Sequence, residues 1–245
     1  MHRVSAVFVA VCAIACGREP AAPPAQPVTP APAATAQPSP APVASAPVAS
    51  DRPRIVFLGD SLTAGYGLEQ SQAVPALTQA RLKKEGYPFE VVNAGVSGDT
   101  SAGGLRRLDW SMAGDVQVLV VALGANDGLR GLPVAAMRRN LDEVITRAQA
   151  RGIAVLLVGM EALPNYGASY TSEFRDTFPA LAKAHKTALM PFYLDGIAGK
   201  PELNIADGMH PNPAGAVIVA DNLWRILEPM LKPALQAPAP VSGSR

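Results

Sequence analysis

Apolar residues along this chain form short continuous runs, separated by segments in which they recur every three or four positions. Five runs read as buried strands: residues 55–58, 89–93, 116–123, 153–159 and 188–192. Between them, helical spacing predicts helices over 73–85, 101–112, 133–151 and 169–186, with a last one from about 213 to 231. The segment 133–151 is the clearest. Val134, Met137, Leu141, Val144, Ile145 and Ala148 share one face, while Arg138, Arg139, Asp142 and Arg147 fall elsewhere. Pro133 suits its first turn and Gly152 its end. Continuous apolar strands alternating with helices predict an α/β fold, a three-layer α/β/α sandwich around a central parallel sheet. In such sheets ligands bind outside the carboxyl ends of the strands.

The pattern fails at both ends of the chain. His2 and Arg3 precede an uncharged apolar run, Val4 to Ala15, too short to span a bilayer, so residues 1–16 read as an export signal. Both cysteines, Cys12 and Cys16, lie here, which removes disulfide, thiolate-metal and cysteine-nucleophile chemistry from the rest. Ala13-Ile14-Ala15-Cys16-Gly17 resembles a bacterial lipoprotein processing site with Cys16 as the lipidated residue, although Ala13 stands where Leu is usual. Ordinary cleavage after Ala15, giving a soluble periplasmic or secreted form, is the alternative. With Gly17 after the cysteine rather than Asp, a lipoprotein is expected at the periplasmic face of the outer membrane. Residues 17–52 follow as a linker. Ten of the 24 prolines fall between Pro20 and Ser50, with no charge from there to Asp51, so this stretch cannot build a core and is expected to be an extended tether. The globular domain is expected over 53–231 and a flexible tail over 232–245. A net charge of +1 with scattered signs leaves no footprint for nucleic acid.

Three strand exits carry chemistry-bearing residues. Gly59-Asp60-Ser61-Leu62 follows the first strand, Asn93 to Thr100 the second, and Gly124-Ala125-Asn126-Asp127 the third. Each alone is ordinary turn chemistry. A serine at such an exit becomes a nucleophile only with a base, and histidine is the usual one near neutral pH. Two histidines remain outside the leader. His185 ends a helical segment among cations and reads as a surface residue. His210 lies in Asp207-Gly208-Met209-His210, where one turn of chain can bring Asp207 onto the imidazole. Metal binding lacks further His or Cys ligands, and no Gly-x-Ser-x-Gly elbow occurs.

Gly59-Asp60-Ser61-Leu62, the Gly98 region, Gly124-Ala125-Asn126-Asp127 and Asp207-x-x-His210, in that order, resemble the blocks of the GDSL, or SGNH, hydrolase superfamily. The resemblance covers essentially residues 54–231. Gly98-Asp99-Thr100-Ser101, Asn126 to Gly131 and Pro164-Asn165-Tyr166-Gly167 are similar to the bacterial periplasmic thioesterase/lysophospholipase and arylesterase branch. It implies a flavodoxin-like sheet, Ser61 as nucleophile, His210 as base and Asp207 as the orienting carboxylate. The implied oxyanion donors are the backbone N–H groups of Ser61 and Gly98 and the side-chain amide of Asn126. Leu129, Asn165 and Tyr166 are implied near the acyl chain. Ala125 stands where this branch more often has Gly, and Asp60 reads as a structural residue tying down the turn. No cofactor is implied, and the expected partner is a small-molecule or lipid ester. Two other readings stay open: a deacetylase of cell-wall or other carbohydrate esters, and a catalytically silent membrane-tethered binding protein.

Overall fold

The computed structural model describes residues 52–236. The leader with Cys16, nearly all of the linker, and tail residues 237–245 lie outside them. The order of elements is β1 (Arg54–Gly59), α1 (Ser61–Ala64), α2 (Val74–Glu85), β2 (Glu90–Gly95), α3 (Ser101–Arg106), α4 (Leu108–Ser111), β3 (Val116–Ala122), α5 (Ala125–Leu129), α6 (Val134–Ala150), β4 (Ala154–Val158), α7 (Ala168–His185), β5 (Ala188–Met190) and α8 (Pro213–Gln236). The five strands form one sheet in the order β2-β1-β3-β4-β5, every neighbouring pair parallel. The expected α/β sandwich is the observed one. Strand order reverses between β1 and β3, where doubly wound sheets open a crevice at their carboxyl ends.

Burial explains why the runs became strands. Ile55 to Leu58 on β1 and Val118 to Val121 on β3 are at most 1% exposed, because helices cover both faces of the two central strands. Helix α2 packs on α8, while α6 packs between α3 and α7. The apolar face expected for 133–151 is the buried face of α6.

Two elements differ from expectation. The single helix expected over 101–112 is broken at Arg107 (φ −102°, ψ 8°) into α3 and α4. The tail does not begin at Lys232: α8 continues to Gln236, with Pro229 and Pro233 inside it. Buried Leu231 and Ala234 hold this end of the helix on the core, and their packing outweighs the lost backbone hydrogen bonds. Among the described residues no helix is long and apolar enough to cross a membrane.

Candidate active site

Three adjacent strands, β2, β1 and β3, each deliver one segment to the carboxyl edge of the sheet. At the end of β1, Asp60 caps α1 by accepting from the Leu62 N–H at 3.0 Å. Ser61 thereby becomes the first helical residue, whose backbone N–H has no acceptor inside the helix. The turn fits only because β2 ends in Gly95, where a Cβ would lie 2.3 Å from the Ala64 nitrogen. Asp60 is 1% exposed, and its burial pushes its carboxyl up to about 6 against the Leu62 N–H and the nearby His210, which both favour the anion.

His210 comes from the loop before α8. That loop closes on itself through Ile205 N–H to the His210 carbonyl at 2.8 Å and a bridge between Asn204 and Pro211. Asp207 Oδ1 accepts the backbone N–H groups of Met209 (2.9 Å) and His210 (3.0 Å), and its Oδ2 lies 2.7 Å from His210 Nδ1. These contacts, led by the His210 backbone N–H, hold the Asp207 carboxyl down at about 2. An ionised carboxylate only accepts, so Nδ1 carries the proton and Nε2 is left as an acceptor. Ser61 Oγ lies 2.8 Å from that Nε2, in position to donate its proton.

The exits of β2 and β3 supply further donors. Gly98 adopts φ +81°, a conformation that favours glycine. The Asn126 amide, on the first turn of α5, donates one hydrogen to the Asp99 carbonyl at 3.0 Å, and its second hydrogen remains. Buried Asp127 fixes α5 by accepting the Ser101 N–H at 2.8 Å and the Ser101 hydroxyl at 2.6 Å, and Asn140 completes the cluster by donating to Ser101 Oγ.

A cavity of about 370 Å³ opens here, lined by Ser61, His210 and Asn126 and walled largely by apolar groups that include Leu129, Leu163 and Met209. Leu129, implied near the acyl chain, is one of the lining residues. Asn165 and Tyr166 do not line the cavity; Leu163 and Pro164, just before them, do. Tyr166 instead donates to the Leu129 carbonyl at 3.0 Å, and Asn165 is exposed. Gly98 is not in the lining either; Arg130 donates to its carbonyl at 2.8 Å. His185, read as a surface residue, meets Asp142 at 2.7 Å.

The sequence reading did not single out Tyr66, whose ring lies 4.8 Å from the His210 ring, nor Asp127, Leu163 and Met209. An aromatic five residues after Ser61 gives no periodic signal, and Leu163 and Met209 read as ordinary loop residues. Among the described residues no three His, Cys, Asp or Glu side chains group as for a metal ion.

Residues 57–218 match the profile of the GDSL-like Lipase/Acylhydrolase family. The esterase TesA of Pseudomonas aeruginosa is 46% identical over 178 residues, 72% of this chain and 89% of the relative. Thioesterase 1/protease 1/lysophospholipase L1 of Escherichia coli is 35% identical over 178 residues, covering 72% and 84%. A crystal structure of TesA superposes with a TM-score of 0.70 at 44% identity, over 74% of this chain and all of that one. With the family profile spanning most of the folded domain and a relative of this identity, the chain belongs to the GDSL-like lipase/acylhydrolase family and is an ester hydrolase.

Proposed function

We propose that the protein hydrolyses acyl esters or thioesters of apolar acyl chains, of the arylesterase, thioesterase or lysophospholipase type, through an acyl-enzyme on Ser61. The observation that carries this reading is the continuous hydrogen-bonded line from Ser61 Oγ through His210 to Asp207, at 2.8 and 2.7 Å. Ser61 Oγ attacks the acyl carbon while Nε2 takes its proton. The imidazolium is stabilised by the Asp207 carboxylate and then protonates the leaving alkoxide or thiolate. Water, deprotonated by the same nitrogen, releases the acid and restores the serine. Negative charge on the tetrahedral oxygen falls to the Ser61 and Gly98 N–H groups and the free hydrogen of the Asn126 amide. The apolar cavity wall favours an acyl chain over a sugar, and the names of the relatives as esterase and thioesterase/lysophospholipase agree.

Fluorophosphonate treatment followed by intact-mass analysis and peptide mapping tests the nucleophile, with a single adduct on Ser61 expected. An adduct on another serine, or none in an active preparation, overturns it. Rates across aryl acetates, longer p-nitrophenyl esters, acyl-CoA and an acetylated glycan define the substrate class, and a preference for the glycan would replace the acyl-chain reading.

We also propose export with a lipid on Cys16, supported by the apolar leader, the small residues before that cysteine and the Pro/Ala-rich spacer after it. Expression in a Gram-negative host with labelled palmitate should mark the full-length chain and not Cys16→Ala. An unlabelled wild type recovered in the soluble periplasm leaves an ordinary cleaved signal instead.

A further inference from the structure

The break between α3 and α4 places one guanidinium where three segments of the site end. Arg107 Nε donates to Asp99 Oδ2 at 2.7 Å, one Nη to the Ala94 carbonyl at 2.6 Å, and the other to the Gly59 carbonyl at 2.8 Å. The side chain is 20% exposed and that of Asp99 13%. Gly103 makes room for this carboxylate, since a Cβ there would lie 1.6 Å from Asp99 Oδ1.

Two of the three acceptors of this guanidinium are tied to groups proposed to receive the oxyanion. Gly59 lies two residues before Ser61, and its carbonyl also accepts the Val96 N–H that starts the Gly98 turn. Asp99 follows Gly98 directly, and the Asp99 carbonyl accepts the Asn126 amide. We propose that Arg107 is a positioning residue that sets the mutual spacing of the Ser61, Gly98 and Asn126 donors by clamping the ends of β1 and β2 to the Asp99 turn. The inference rests on the Ser61 acyl-enzyme reading above.

Electrostatic stabilisation of an oxyanion depends on donors fixed before charge develops, and a shift of about 1 Å can cost about 100-fold in rate. A planar fork meets three acceptors in three directions at once, which a lysine ammonium on a flexible stem does not reproduce. A purely structural ion pair with Asp99 would explain one of the three contacts and leave the two strand-end carbonyls unaccounted for.

Arg107→Met and Arg107→Lys would be compared with the wild-type full chain using a p-nitrophenyl ester. Two competing ligands of equal alkyl length accompany them. One is a trifluoromethyl ketone, which takes up Ser61 Oγ and leaves an oxyanion; the other is an unreactive ether. Arg107→Met should lower kcat about 100-fold with KM within about twofold. It should weaken the ketone by a similar factor and leave the ether unchanged. Arg107→Lys should fall between, and guanidinium well below denaturing concentration, but not urea, should restore part of the Arg107→Met rate.

If Arg107→Met does not fold, Arg107→Lys carries the same comparison. Unchanged kcat in a folded variant, or equal weakening of ketone and ether, overturns the proposal. Fluorophosphonate labelling of wild-type Ser61 is run alongside. Its failure removes the acyl-enzyme reading, whereas normal labelling with an unaffected Arg107 variant removes only the role of Arg107.

Discussion

The half of the site proposed to transfer protons and the half proposed to receive the oxyanion are held in opposite ways. Asp207 and His210 sit three residues apart on a loop that closes through its own backbone, with the two side chains 31% and 16% exposed. Gly98 and Asn126 depend on contacts between separate segments: Asp127 with Ser101, Asn140 with Ser101, and Arg107 with Gly59 and Asp99. A local loop can orient a base cheaply because few dihedrals are involved. Spacing two donors across three strands requires the folded core. Mutations in the first half should therefore cost activity without stability, and those supporting the second should cost both.

The largest effects separate the halves by rate. Ser61→Ala and His210→Ala should each lower kcat by several orders of magnitude, and the double variant little more, because the groups act as a unit. Asp207→Asn should be nearly as damaging with little change in Tm, since an amide facing Nδ1 permits the wrong tautomer. Steady-state kinetics with thermal melts on the same preparations measure this. A large Tm loss in Asp207→Asn would break the contrast.

Asn126→Ala should slow turnover roughly 100-fold, as for removal of one oxyanion donor, with the fold intact. Normal turnover would remove the amide from the site. Asp127→Ala moves the other way. It strands the Ser101 N–H and hydroxyl in a buried position and should cost on the order of 2–4 kcal/mol in chemical denaturation, with a smaller loss of rate through α5. An Asp127→Ala variant as stable as the wild type would show that the oxyanion half needs no such support.

The two carboxylates that flank Ser61 and His210 respond to pH with opposite sign. Asp60 has a folded pKa above its unfolded one, so its protonated form contributes stability that is complete below about 4 and lost as pH rises through about 6. Asp60→Asn, which keeps an oxygen for the Leu62 N–H, should therefore gain on the wild type between pH 4 and 8, by roughly 3 kcal/mol. A gap that stays constant across denaturation curves at these pH values would mean that the charge of Asp60 is compensated. Asp207, held at about 2 but solvent-screened, contributes only a small stability, present above about 4 and lost as pH falls toward 2. It should add no inflection to an activity profile between pH 4 and 9, and an inflection there that disappears in Asp207→Asn would refute this.

Much of the scaffold was legible because strands at the centre of a parallel sheet are apolar throughout, and because an amphipathic helix such as α6 shows its buried face by spacing. The pairing of Asp207 with His210 was legible for a related reason: a carboxylate three residues before an imidazole needs only one turn of chain to meet it. The end of α8 differs because the stretch from Lys232 on, rich in Pro, Ala, Ser and Gly, reads locally as a tail, while burial of Leu231 and Ala234 decides otherwise.

The sequence by itself determined the α/β alternation, the three strand exits and the Asp207-x-x-His210 loop, all features whose physics is local in the chain. Only the tertiary structure decided that β2, β1 and β3 lie side by side, that Leu163 and Met209 rather than Asn165 wall the cavity, and that Arg107 joins the exits of β1 and β2. Those outcomes are contacts between residues tens of positions apart, set by how the helices close over the sheet, and no spacing pattern along the chain encodes them.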